Sequence, residues 1–150
     1  MEPVSNIRLV QDADVIVRAA ATNYAKIPTG DFSNTGIPDS LVHFEIRETL
    51  RGARSSEINI AGYLVDSDDF NEQAAPYTFV RPGGRSGSCV ANSYRKGAEF
   101  LLFLKKGLAG DLTVYWYALA PVNEQLHSDQ DPWLLWVRQM AAKQEEPQRP

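Results

Sequence analysis

The chain has 150 residues, enough for one domain with its own core and short for two. Its composition is that of an ordinary globular domain, 43% hydrophobic and 23% charged, and no apolar run approaches the roughly 20 residues that cross a bilayer as a helix. A formal net charge of -4 and a pI near 5.1 weigh against a nucleic-acid binder and against attraction to anionic membranes, and a single cysteine, Cys89, excludes an intrachain disulfide and a closed cysteine-based zinc site.

Residues 1–12 read as a lead-in, with Ser5 as the cap of a short helical turn carrying Ile7, Leu9 and Val10. Asp14 to Ala21, DVIVRAAA, is the first strand, reaching towards Tyr24 or Ile27. Pro28 to Ser40 is rich in Pro, Gly, Asn, Asp and Ser and reads as a loop. Leu41 to Leu50 alternates cleanly: Val42, Phe44 and Ile46 point one way, His43, Glu45 and Arg47 the other. Glu57 to Val65 is a third strand, with Ile58 and Ile60 inward and Gly62 at a bulge or bend.

Asp66 to Ala75 is an acidic connector, and Pro76 to Val80 holds a short edge strand. Arg81 to Ser88, RPGGRSGS, is an irregular glycine-rich loop. The strongest signal follows. Phe100 to Leu104 is a continuous apolar run, Lys105-Lys106-Gly107 and Gly110-Asp111 supply turn chemistry, and Leu112 to Leu119 resumes with Val114, Tyr115, Trp116 and Tyr117. This predicts a core hairpin. Pro121 to Asp131 is read as polar loop. Asp131 and Pro132 then open a helix whose Trp133, Trp136, Val137 and Met140 share one stripe.

The pattern predicts a mainly β protein: a five-stranded antiparallel OB-fold-like barrel with a C-terminal α-helix. One domain over residues 13–142 lies between the lead-in and a polar tail at 143–150, expected to be disordered at its end.

ADVIV near the start is followed by Phe44, Ile46, Glu48, Leu50 and Gly52, and then by Cys89, Tyr94, Gly97 and Phe100 to Leu104. Taken together, these stretches resemble bacterial netrin-like domains, which share the OB-fold of the tissue inhibitors of metalloproteinases. The resemblance covers roughly Ala13 to Met140 and implies an extracytoplasmic, periplasmic or secreted, protein-binding module. The animal inhibitors chelate the protease zinc through an N-terminal cysteine. This chain begins Met-Glu-Pro and has no cysteine there, so that mechanism is not carried over.

Catalytic chemistry has little to draw on. There are two histidines, His43 and His127, and no nucleophile-elbow, phosphate-loop or zinc-protease motif. An enzyme would need a polar cleft converging on one of them. Asp66, Asp68, Asp69, Asn71 and Glu72 offer oxygen ligands, but the EF-hand pattern fails at its sixth and twelfth positions, the latter being Tyr77, so a solvated acidic loop is the simpler reading. His127, Asp129 and Asp131 form a second polar group, in which Asp131 is better explained as a helix cap.

The binding candidates are Arg81, Gly83, Gly84, Arg85 and Tyr94. Glycines leave backbone N–H groups approachable and the arginines add charge suited to a phosphate or carboxylate, although such loops are commonly plain exposed loops. Cys89 reads as a small buried residue sooner than a reactive thiol. Tyr63, Tyr77, Phe79, Tyr115 and Tyr117 can build a stacking platform, or simply the core. No metal, cofactor or catalytic residue is expected. The functional expectation is a non-enzymatic module for an unidentified protein partner, contacted through Pro28 to Ser40 and Arg81 to Ser88. The alternative is an OB-fold binding an oligosaccharide or single-stranded nucleic acid.

Overall fold

The computed structural model describes residues 5–29, 39–52, 54–68, 70, 75, 93–107, 112–114, 116–117, 120–121 and 123–145. Helix α1 spans Asn6–Asp12. Its start follows from Ser5, which is extended (φ -66°, ψ 152°) and whose side-chain oxygen accepts a hydrogen bond from Arg8 N at 3.3 Å. Leu9 and Val10 are fully buried, so this stretch, expected as a lead-in, contributes to the core.

The strands are β1 (Val15–Lys26), β2 (Leu41–Arg51), β3 (Glu57–Ala61), β4 (Tyr63–Val65), β5 (Ser93–Arg95), β6 (Glu99–Lys106), β7 (Leu112–Val114), β8 (Trp116–Tyr117), β9 (Ala120–Pro121) and β10 (Glu124–Gln125). Helix α2 (Pro132–Glu145) closes the described chain. The main sheet is antiparallel, in the order β10-β6-β1-β2-β3, with β7 sharing the outer edge of β6. The chain is therefore mainly β, an antiparallel sheet with a C-terminal helix, as its patterning predicts. The sheet curls until β3 comes near β7. Among the described residues no ladder joins those two edges.

Period-two alternation sorts β1 and β6 between two cores. Ile16, Leu101 and Phe103 face the helices and pack with Leu9, Val10, Trp133, Leu134 and Val137. Val15, Val17, Ala19, Phe100, Leu102 and Leu104 face the inside of the curl and pack with Val42, Phe44, Ile60 and Tyr94. That two-sided burial is why Phe100 to Leu104 reads as a continuous apolar run. Helix α2 begins where expected: Asp131 Oδ1 accepts from Trp133 N at 2.9 Å, and Asp131 O accepts from Leu135 N at 3.1 Å. The helix continues to Glu145, three residues past the expected boundary at 142.

Three expectations are corrected. Residues 57–65 are two strands broken at Gly62. The second strand, β4, leaves the main sheet and pairs in parallel with β5. The break is fixed by Ser40, which accepts from Gly62 N through its backbone oxygen at 3.1 Å and donates its hydroxyl to Gly62 O. The stretch Pro121 to Asp131 is not merely loop: β10 pairs with β6 at Phe100 and Leu101, and Asn123, Glu124 and Gln125 are buried. In the core hairpin only β7 pairs with β6, from Leu104↔Val114 to Lys106↔Leu112, while β8 turns to pair with β9.

Two glycines are required by geometry. Gly52 ends β2 at φ 99°, and a Cβ there would stand 2.8 Å from Val15 Cγ2. Gly97 turns β5 into β6 at φ 85° and donates to Ala21 O at 2.7 Å.

Candidate functional site

Of the sequence-derived binding residues, Arg81, Gly83, Gly84 and Arg85 lie outside the described residues, as do the expected edge strand Pro76 to Val80, Phe79, the rest of the loop to Ser88, Cys89, Asp69, Asn71, Glu72, Tyr115 and positions 30–38 and 146–150. Tyr94 is described, and it belongs to the core. Its ring is fully buried, 5.0 Å from those of both Phe44 and Phe100 and edge-on to each. Its hydroxyl accepts from Asn123 Nδ2 at 3.0 Å, while Asn123 Oδ1 accepts from Phe103 N at 3.0 Å. A tyrosine followed by a glycine turn and an apolar strand carries the right signal for burial. The single-residue spacing that would separate it from a surface contact is absent from the sequence.

The ends of the two longest connections come together at one end of the sheet. This is where β1 finishes (Lys26↔Leu41), β2 starts, β3 finishes (Leu41↔Ala61) and β6 starts (Ala20↔Glu99). Across the first base, the Asp39 carboxylate accepts from Thr29 N at 3.3 Å and from the Thr29 hydroxyl. The Thr29 hydroxyl is the main reason the Asp39 carboxyl is held below its ordinary range. Across the second base, Asp68 Oδ1 accepts from Gln125 Nε2 at 2.7 Å and from Arg95 Nη1 at 2.5 Å. The Gln125 amide first, then Arg95, hold the Asp68 carboxyl low as well. Tyr24 ties β1 to β4 nearby, its hydroxyl accepting from Leu64 N at 2.9 Å.

Both histidines are engaged here. His43 Nδ1 lies 2.5 Å from Thr22 Oγ1 and its Nε2 lies 3.0 Å from Glu57 Oε2, so three strands meet at one imidazole. The arrangement has the composition of a nucleophile, base and acid. Thr22 Oγ1, however, also stands 3.0 Å from His43 O, and its one proton cannot serve both that carbonyl and the imidazole. His43 is bound as a strut between strands, and Glu57 is largely exposed. His127 stacks on Phe70, with ring centroids 4.3 Å apart and 15° between planes, and its Nδ1 is 2.9 Å from Asp131 Oδ2. Asp131 is buried and also accepts from His127 N at 2.8 Å, so it holds the connector residue Phe70 beside the start of α2 through the His127 ring.

Among the described residues of the acidic connector, Asp68 serves as a clasp and Phe70 as a stacked ring. Among the described residues no group of three or more His, Cys, Asp and Glu side chains is placed to hold a metal ion. No helix among them is long and apolar enough to cross a membrane. Comparison of the chain with family models and with curated proteins returns no match in either.

Proposed function

We propose that this chain is a non-enzymatic protein-binding module, an extracytoplasmic OB-fold of the netrin-like kind, whose partner contacts the end of the sheet where the bases at Thr29–Asp39 and Asp68–Arg95 stand. The observation that carries this reading is the filled interior. Phe44, Tyr94 and Phe100 occupy it as mutually edge-on rings with centroids 5.0 to 6.1 Å apart, and α2 covers the opposite face of the sheet. A barrel that binds a small molecule needs a cavity or an open mouth. Here the central strands are packed on both faces, so recognition falls to the exposed end. Side-chain clasps at the loop bases suit a scaffold that presents long connections. The extracytoplasmic setting rests on the resemblance of the strand motifs alone.

The test is capture with the purified full chain, comparing wild type with Arg81→Ala/Arg85→Ala. The expected result is one protein recovered in stoichiometric amount by the wild type and lost with the double variant. Equal recovery by both removes that surface. Capture of single-stranded nucleic acid, weakening steeply with salt, overturns the protein-binding reading.

A further inference from the structure

We propose that a cleft beside the C-terminal half of β2 is a docking site for an extended, acidic peptide segment. It lies at the opposite end of the sheet from the loop bases, where Ile16 pairs with Arg51, and so stands independently of the surface proposed above. The cleft has a volume of about 450 Å³ and is lined by Ile46, Arg47, Glu48, Thr49, Arg54 and Ser55.

Its charge is positive where it is uncompensated. Glu48 is neutralised from the helix side: its Oε2 accepts from Arg138 Nε at 2.9 Å and its Oε1 from Arg138 Nη2 at 2.8 Å, with Arg18 Nε 3.4 Å away. Arg47 pairs with Glu45 at 2.6 Å. Arg54 is exposed and makes no ion pair among the described residues. A guanidinium with no ion pair among the described residues, on the wall of a polar cleft, favours a carboxylate over a cation at close range.

The backbone says what carries that carboxylate. Strand β2 pairs with β3 only from Leu41 to Glu45, and one further bond runs from Ile46 N to Ser56 O at 2.9 Å. From Arg47 to Leu50 its outer edge has no strand beside it among the described residues. The register with β1 also skips Arg47 and Leu50: Arg18 and Ala19 face Glu48 and Ile46, and Ile16 and Val17 face Arg51 and Thr49. Backbone donors and acceptors at those bulges are set off the β1 ladder. A strand edge offers donor and acceptor together, which a polypeptide matches and a sugar chain does not.

The experiment is an NMR titration of the ¹⁵N-labelled full chain with acetyl-hexaglutamate amide at low ionic strength, a peptide kept extended by its own repulsion. Saturable shifts at the amides of Arg47 to Leu50, Arg54 and Ser55 are expected, with acetyl-hexalysine amide giving none there. Arg54→Ala, an exposed change that leaves the spectrum dispersed, weakens binding about three- to fivefold. Glutarate, which offers carboxylates without a backbone, binds more weakly than the peptide. Absence of shifts at these amides, or unchanged affinity in Arg54→Ala, overturns the site. Glutarate as tight as the peptide, or a sulfated oligosaccharide tighter at the same amides, overturns the peptide assignment.

Discussion

One sheet carries two cores that are closed by different chemistry. On the helix side, Phe103 packs near Trp133, and Trp133 stacks on Trp136 with centroids 5.5 Å apart. The rim of that core is charged. Arg18 bridges Glu48 and Glu99, Arg138 grips Glu48, Arg51 donates to Val10 O, Ala13 O and Gln144 Oε1, and Lys105 donates to Asp12 O at 2.6 Å. On the enclosed side, among the described residues, Asn123 joins Tyr94 to the Phe103 backbone through neutral groups. The difference follows from water. At a half-exposed rim, guanidinium and carboxylate groups keep part of their hydration, whereas inside the curl an unpaired charge would cost several kcal/mol, which a hydrogen-bonded neutral amide avoids.

The sharpest way to break the comparison is at the aromatic trio. Phe44→Ala leaves a cavity between two buried rings and is expected to cost about 3–5 kcal/mol in urea unfolding. A loss under about 1 kcal/mol would mean that the enclosed core collapses readily and is not the rigid side. Asn123→Leu is next. It keeps the volume but removes the acceptor of Phe103 N, for an expected loss of about 1–3 kcal/mol. A double-mutant cycle with Tyr94→Phe separates the two bonds: coupling shows that the Tyr94 hydroxyl and the amide act together. Gly52→Ala probes the junction of both cores. Its positive φ and the approach to Val15 Cγ2 set an expected loss of about 1–3 kcal/mol, while Gly97→Ala, with nothing within 4 Å of the added Cβ, suffers only the backbone term and loses less.

Much of this frame was legible in the residues. The alternation of Val42, Phe44 and Ile46, the run Phe100 to Leu104 and the Asp131-Pro132 start of the helix each state a local rule that the packing obeys. Asn123, Glu124 and Gln125 were not legible, because three consecutive polar residues read as solvated chain unless the partners are known. Those partners, Phe103 N, Tyr94 and Asp68, lie 20, 29 and 57 positions away. The split at Gly62 was half legible. The glycine marked a bend, but the pairing of β4 with β5 depends on a contact between residues thirty positions apart in the chain, Tyr63 with Ser93. For the candidate site the limit is the same. The His43 polar face was visible from period two, but its contact with Thr22 of β1 is a matter of sheet order. The cleft by Arg54 arises because β2 outlasts β3, a difference of strand lengths that composition does not encode.

The smallest expected effect tests the charged rim itself. Glu48 is held below its ordinary range, first by the Arg138 side-chain hydrogen bonds and then by the charges of Arg138 and Arg18, against partial burial, which acts the other way. Arg138 is correspondingly raised by Glu48. A carboxylate depressed in the folded state contributes stability that is fully present above its unfolded value of about 4.3 and is lost as pH falls through the lower folded value. With Glu48 29% and Arg138 43% exposed, solvent screens the pair, and Arg138→Ala is expected to cost only about 0.5–1 kcal/mol at neutral pH. Asp39 and Asp68 are depressed too, so acid unfolding of the wild type reports all three carboxylates. Glu48→Gln isolates the rim. In urea unfolding from pH 7 to pH 3, the difference between wild type and this variant should be fully present above about pH 5, begin to shrink near the unfolded value of about 4.3 and go on shrinking as pH falls through the depressed folded value, while the loss caused by Asn123→Leu stays constant over the same range. A Glu48→Gln difference that does not change with pH would mean that the rim acts by packing rather than by charge, and the contrast between the two cores would fall.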